Sequence, residues 1–112
     1  MDVKYGKGCY QPTLEYAEKV ANSLVTVSHK LGIKTTAVIS MMDDPLGKLI
    51  GNALEVAESI QCLRGEGPFD LEELVIKQGG LLLSQSGDEN YSVEEGEDKI
   101  RFVLRLLTYL GT

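Results

Sequence analysis

The sequence has no tryptophan, one histidine, two cysteines and three prolines in 112 residues, and its net charge is −6. Each scarcity excludes something. Cys9 and Cys62 do not form a metal or redox spacing. The single histidine, His29, is not in reach of either cysteine by sequence argument, so both read as inert thiols rather than nucleophiles. The acidic balance argues against a nucleic-acid partner, because phosphate backbones need Lys/Arg clusters. It leaves room for a phosphorylated small molecule, since a local cationic pocket can sit in an acidic protein. No apolar run approaches the roughly 20 residues of a membrane span, so no membrane partner is expected. Met1-Asp2-Val3-Lys4 opens with mixed charge and no apolar core region, unlike a signal peptide. The expected setting is reduced and cytoplasmic.

What is present is ordinary for a globular chain: 43% hydrophobic and 25% charged residues, enough for one domain with a modest core. The organising stretch is 34–58. It opens with an apolar run, Thr36-Ala37-Val38-Ile39-Ser40-Met41, which has the length of a buried strand. An acidic turn follows, Asp43-Asp44-Pro45-Leu46-Gly47. A helix then starts near Asn52, with Glu55 three residues on as a capping partner. Strand, loop and helix make half of a βαβ unit, and open α/β sheets bind ligands at such loops.

Taken in order, residues 1–5 read as the end of a strand, followed by a basic glycine loop, Gly6-Lys7-Gly8. A domain that starts inside a strand suggests a chain cut from something longer. Thr13 is the expected N-cap of a helix over 13–31, with its apolar face on Leu14, Ala17, Val20, Ala21, Leu24, Val27 or Ser28, and Leu31. Gly32 supplies the stop. A second strand, 35–41, lacks clean alternation, so both its faces should be covered as in a parallel sheet. Helix 53–63 should bury Ala53, Val56, Ala57, Ile60 and Leu63. Asp70 and Glu73 read as a capping pair for helix 71–84, whose face is Leu71, Leu74, Val75, Gln78 and Leu82. Gly79-Gly80 inside that helix costs about 1 kcal/mol per glycine against alanine, which points to close backbone packing. Ser92 and Glu95 form a capping box for helix 93–109, with Val93, Ile100, Val103 or Leu104, Leu107 and Leu110 on its face.

The expected class is therefore α/β: two parallel strands and about four helices, a helix-rich fragment of a larger α/β domain. Two parallel strands make a poor sheet alone, since three or more are usually needed. The chain should carry faces made for partners.

Four blocks, in order, carry a family resemblance: Asp2-Val3-Lys4-Tyr5-Gly6-Lys7-Gly8, Pro45-Leu46-Gly47, Gly51-Asn52-Ala53-Leu54-Glu55-Val56, and Gly65-Glu66-Gly67-Pro68 with Asp70-Leu71; Lys34-Thr35-Thr36-Ala37 also fits. Together they resemble the thymidine and pyrimidine-nucleoside phosphorylases over residues 2 to about 86. That resemblance implies a pentosyltransferase that splits thymidine or uridine with phosphate into free base and (deoxy)ribose 1-phosphate. It implies a homodimer or other self-association, with phosphate and a pyrimidine nucleoside as partners of the complete enzyme. It also implies that 1–112 is a partial α/β domain, without the N-terminal helical, phosphate-binding part and without the C-terminal domain. No catalytic residue is then expected here, because the family's phosphate loop and base-holding residues would lie upstream of Asp2. From Glu89 onward the sequence departs from the family pattern.

Two site assignments follow from the resemblance. Leu46 and Leu49, through backbone carbonyls, and Glu58, through its carboxylate, match positions that in bacterial members hold a monovalent cation, K+, together with ligands from the upstream loop absent here. The chemistry fits, since hard cations take carboxylate and carbonyl oxygens. Tyr10 falls where the family places an aromatic wall of the base pocket. No other cofactor is implied. Beside these stand plainer readings. Glu58 can be a solvated helix flank and Tyr10 ordinary packing. Gly6-Lys7-Gly8 can be a structural turn rather than a phosphate cradle, since it lacks the Walker spacing. Asp43-Asp44 can be a solvated turn rather than a metal site. His29 can complement a helix end. Two other functions stay open: a non-catalytic α/β interaction module, and part of a related nucleotide phosphorylase or phosphoribosyltransferase.

Overall fold

The computed structural model of the chain describes residues 1–86 and 91–110, with side chains through Leu104. Most of the polar loop expected at 86–91, the side chains of Arg105, Leu107 and Leu110, and Gly111 lie outside the described residues. The chain divides into two compact units, Met1–Pro45 and Leu46–Thr112. Together they hold the two parallel strands and four helices that the sequence implies.

In the first unit, β1 (Asp2–Tyr5) and β2 (Val38–Met41) pair in parallel, with Val3 opposite Ile39. The crossover between them is α1 (Leu14–Lys30). Thr13 caps α1 as expected, accepting from the Tyr16 amide at 3.3 Å. Gly32 ends it at φ +76°, a conformation that glycine adopts without a Cβ penalty. His29 joins this turn to the following segment, with Nε2 3.1 Å from the Thr35 carbonyl. The second strand starts at Val38 rather than residue 35: Asp2 pairs with Val38, and the Val38 amide donates to the Met1 carbonyl at 2.8 Å. Thr36 is held instead by the α-amino group of Met1, at 2.8 Å.

The two faces of this sheet differ. Val3 packs with Ala17 and Ala21 of α1, and Tyr5 and Ile39 flank that core. The opposite face is polar: Lys4 bonds Ser40 at 2.8 Å and Asp2 at 2.9 Å, and Ser40 donates to Asp2 at 2.7 Å. Within this unit, then, α1 covers one face and a charged network occupies the other. The apolar stripe of α1 is buried only in its middle; Leu14, Leu24, Val27 and Leu31 stay exposed.

The second unit is helical: α2 (Asn52–Leu63), α3 (Phe69–Ser86) and α4 (Val93–Leu110). Here α4 packs mainly on α3 and also touches α2. The expected glycine contact is present. Gly80 and Gly96 are buried against each other, and a Cβ on Gly96 would stand 2.6 Å from the Gly80 carbonyl oxygen. Ser92 and Glu95 form the expected reciprocal cap, at 2.8 and 3.2 Å. Arg101, which the apolar periodicity places off the packed face, reaches across to Glu73 of α3 at 2.7 Å.

Three sequence expectations fail here, the first on α3, which buries Ile76 and Gly80 while Val75 and Leu82 of the expected row are exposed. The row Ala53, Val56, Ala57, Ile60 and Leu63 is the solvent side of α2, and the buried residues of that helix are Glu58 and Cys62. Asp70 and Glu73 do not cap α3. The helix opens two residues earlier, at Phe69, with the Glu72 amide on the Pro68 carbonyl at 3.0 Å. Glu73 serves Arg101, and Asp70 has a different partner.

Candidate functional site

The segment 46–51 joins the end of the first unit to α2, and its backbone donors converge on acids. The Gly47 amide donates to Asp70 Oδ2 at 3.0 Å. The Lys48 and Leu49 amides both donate to Glu58 Oε1, at 2.9 and 3.0 Å. The Gly51 amide donates to Glu55 Oε1 at 3.2 Å. Four loop amides are thus held by three carboxylates carried on α2 and α3. Such charge-assisted bonds are stronger than neutral ones, so the loop is shaped by its acids rather than by regular secondary structure.

Glu58 is the centre of this arrangement. It is 5% exposed and is the buried charged residue of the described chain. The plainer reading, a solvated flank, is thereby excluded. Gly47 lies against it, with φ +78° and no room for a Cβ, which would fall on Glu58 Oε2. Glycine is required at position 47 on both counts. A cavity of about 310 Å³ opens beside the carboxylate, lined by Lys48, Leu49, Glu58, Gln61, Glu66 and Gly67 among others.

Electrostatics agree with the geometry. The Gly47 amide is the main cause that holds the Asp70 carboxyl below its ordinary range, helped by backbone donors at the start of α3 and by the Lys48 charge. Cys62, one turn beyond Glu58, has its thiol pushed up by burial first and then by the Glu72 and Glu58 carboxylates. A thiol kept protonated in this way is a poor nucleophile, in keeping with the inert reading.

Of the predicted cation residues, Leu49 and Glu58 meet through the Leu49 amide. Leu46 and Leu49 are in the loop that Glu58 anchors. The donor set, one buried carboxylate and backbone oxygens, suits a hard monovalent ion. Among the described residues no group of three or more His, Cys, Asp or Glu side chains is arranged to hold a metal. Tyr10 belongs to the first unit and is 97% exposed. Packing inside its own unit is thus not its role.

The glycine loop next to Tyr10 is a structural turn. Gly6 takes φ +121° and its amide bonds the Gln11 carbonyl at 2.8 Å. The Lys7 amide donates to Asp43 Oδ1 at 2.9 Å and the Gly8 amide to the Met42 carbonyl at 2.9 Å. The amides that a phosphate would need are already in use, and Asp43 is what uses one of them.

Sequence reasoning missed Asp70. Its partner lies 23 positions away, and its place three residues before Glu73 suggested a local cap instead. The signal that could have found it is the loop itself: a turn with a glycine at positive φ and several free amides needs acceptors from elsewhere.

The comparisons with known proteins bear on this same chain of strand, loop and helix. Over 83 residues it is 47% identical to the pyrimidine-nucleoside phosphorylase of Staphylococcus aureus strain USA300. The similarity is to pyrimidine-nucleoside phosphorylases. The same identity over the same length is found with those of strains NCTC 8325 / PS 47 and N315. The match spans 74% of this chain and 19% of each relative, so the chain corresponds to about a fifth of the length of the curated relatives it matches. No protein-family model matches the chain. Among the described residues no helix is long and apolar enough to cross a membrane.

Proposed function

We propose that the chain is a segment of a pyrimidine-nucleoside phosphorylase, the part that carries a strand–loop–helix scaffold and a cation loop. The observation that carries this reading is the 47% identity over 83 residues, supported by the meeting of Leu49 and Glu58 in the structure. In the complete enzyme, phosphate attacks the anomeric carbon of thymidine or uridine as the pyrimidine leaves. The carbon–nitrogen bond breaks, a carbon–oxygen bond forms, and the products are free base and (deoxy)ribose 1-phosphate. Such a reaction needs positive charge around phosphate and donors on the departing base. We assign the phosphate-binding side chains and the base-holding donors to the rest of the enzyme, so the isolated polypeptide is read as inactive.

What this chain's residues do is hold shape and charge. Glu58 orients the Lys48 and Leu49 peptides and offers Oε2 beside Gly47. Leu46 and Leu49 would add carbonyl oxygens to that carboxylate around K+. A bound monovalent cation would supply a fixed positive charge near an anionic substrate. Tyr10, exposed and unpacked, is available as an aromatic wall for a base. A homodimer in the cytoplasm is the assembly and setting this reading implies.

The test is a chimera. The matched 83 residues of the Staphylococcus aureus pyrimidine-nucleoside phosphorylase are replaced by those of this chain, and release of thymine and uracil is followed with phosphate present. Phosphorolysis within about tenfold of the parent, a loss of no more than 1.4 kcal/mol in the barrier, is expected. A folded chimera with no activity on either nucleoside would contradict the proposal.

A further inference from the structure

The loop 46–51 is held by more than the Glu58 anchor. We propose that Asp70 is a positioning residue for the Leu46 carbonyl, an inference that rests on the cation reading above. In a trans peptide the N–H and the C=O of one plane point in opposite directions. The Leu46 carbonyl shares its plane with the Gly47 amide, and that amide is held by Asp70 at 3.0 Å. The bonds to Glu58 fix the next two planes, those of the Gly47 and Lys48 carbonyls. Between the two sets lies Gly47 at φ +78°. A glycine is a soft hinge, so the Glu58 bonds do not by themselves set the plane before it.

Asp70 therefore sets what Glu58 does not. It sits in the first turn of α3, a rigid element, whereas Glu58 sits on α2. Residues behind the direct ligands of a metal fix ligand direction and are worth about 10- to 100-fold in affinity. Asp70 has the geometry of such a residue: it touches no proposed ligand atom, yet it fixes the direction of one.

The experiment is a KCl titration of the chimera described above, which restores the upstream part of the enzyme, followed by NMR at the labelled carbonyl carbons and amides of residues 46–49, with choline chloride as the ionic-strength control. The unsubstituted chimera should give a saturable shift at Leu46 and Leu49 that choline does not reproduce. Asp70→Ala should weaken K+ binding about tenfold. Asp70→Asn, whose amide oxygen still accepts from Gly47, should stay within about threefold of the unsubstituted chimera, because position rather than charge is at stake. Circular dichroism checks the fold, and Asp70→Ser, which keeps a polar residue in the first turn of α3, takes the place of the alanine variant if helicity falls. Unchanged affinity in the alanine or serine chimera would overturn the inference and leave the cation reading standing. An asparagine chimera as weak as the alanine chimera would overturn it by assigning the effect to charge. An unsubstituted chimera with no saturable response to K+ beyond that to choline would overturn the cation reading and Asp70's role with it.

Discussion

Gly47 is pinned on three sides. Its amide is on Asp70, its Cα faces Glu58 Oε2, and its φ of +78° lies where side chains rarely go. Alanine there must move the buried carboxylate or the loop, and strains the backbone as well. Gly47→Ala is expected to destabilise the chain by roughly 2 kcal/mol or more. Urea unfolding followed by circular dichroism measures it; an unchanged midpoint would mean that the loop is not held as described. Gly32 offers the comparison. It also has positive φ, at +76°, but nothing stands within 4 Å of its would-be Cβ, so its alanine variant should bear the backbone strain alone. Much at this scale was legible beforehand. Thr13, Gly32 and the Ser92–Glu95 pair are local signals, read within four residues of one another. Asp70 was not, because no local rule links a first-turn acid to a glycine in a preceding loop.

At the scale of elements, α3 and α4 are joined through glycines. A Cβ on Gly80 would meet the Glu97 backbone nitrogen at 2.8 Å, and one on Gly96 the Gly80 carbonyl oxygen at 2.6 Å. Both obstacles are backbone, which cannot swing aside as a side chain can. Gly96→Ala gains about 1 kcal/mol in helix propensity and loses more by forcing the helices apart, since overpacking costs about 1–3 kcal/mol. The expected net effect is destabilisation, read as a lower midpoint in thermal unfolding; a higher midpoint would show that propensity wins and that the close approach is not needed. The glycine pair announced this contact because two glycines in a helix need a reason. The face of α2 was not legible in the same way. Its apolar row has correct helical spacing, but spacing says only that one side is apolar, not whether that side meets this chain's own core. Val56 and Leu63 on that row are 60% and 50% exposed, while the opposite side buries Glu58, drawn inward by the loop amides.

At the scale of the molecule, the described residues place two parallel strands in one unit and three helices in the other, with large apolar groups open to solvent in both: Leu31 at 71% and Ile33 at 56% in the first, Phe69 at 78% and Ile50 at 70% in the second. A sheet of two parallel strands is below the usual minimum for independent stability. These features are what the proposed segment reading implies, and the match covers 19% of each relative. The central claim is that this chain contributes scaffold and loop while the reacting groups for phosphorolysis come from elsewhere. It is tested most directly by incubating the purified chain with thymidine, inorganic phosphate and KCl and measuring free thymine. The account predicts no thymine above the protein-free control; sustained release that scales with chain concentration would contradict it.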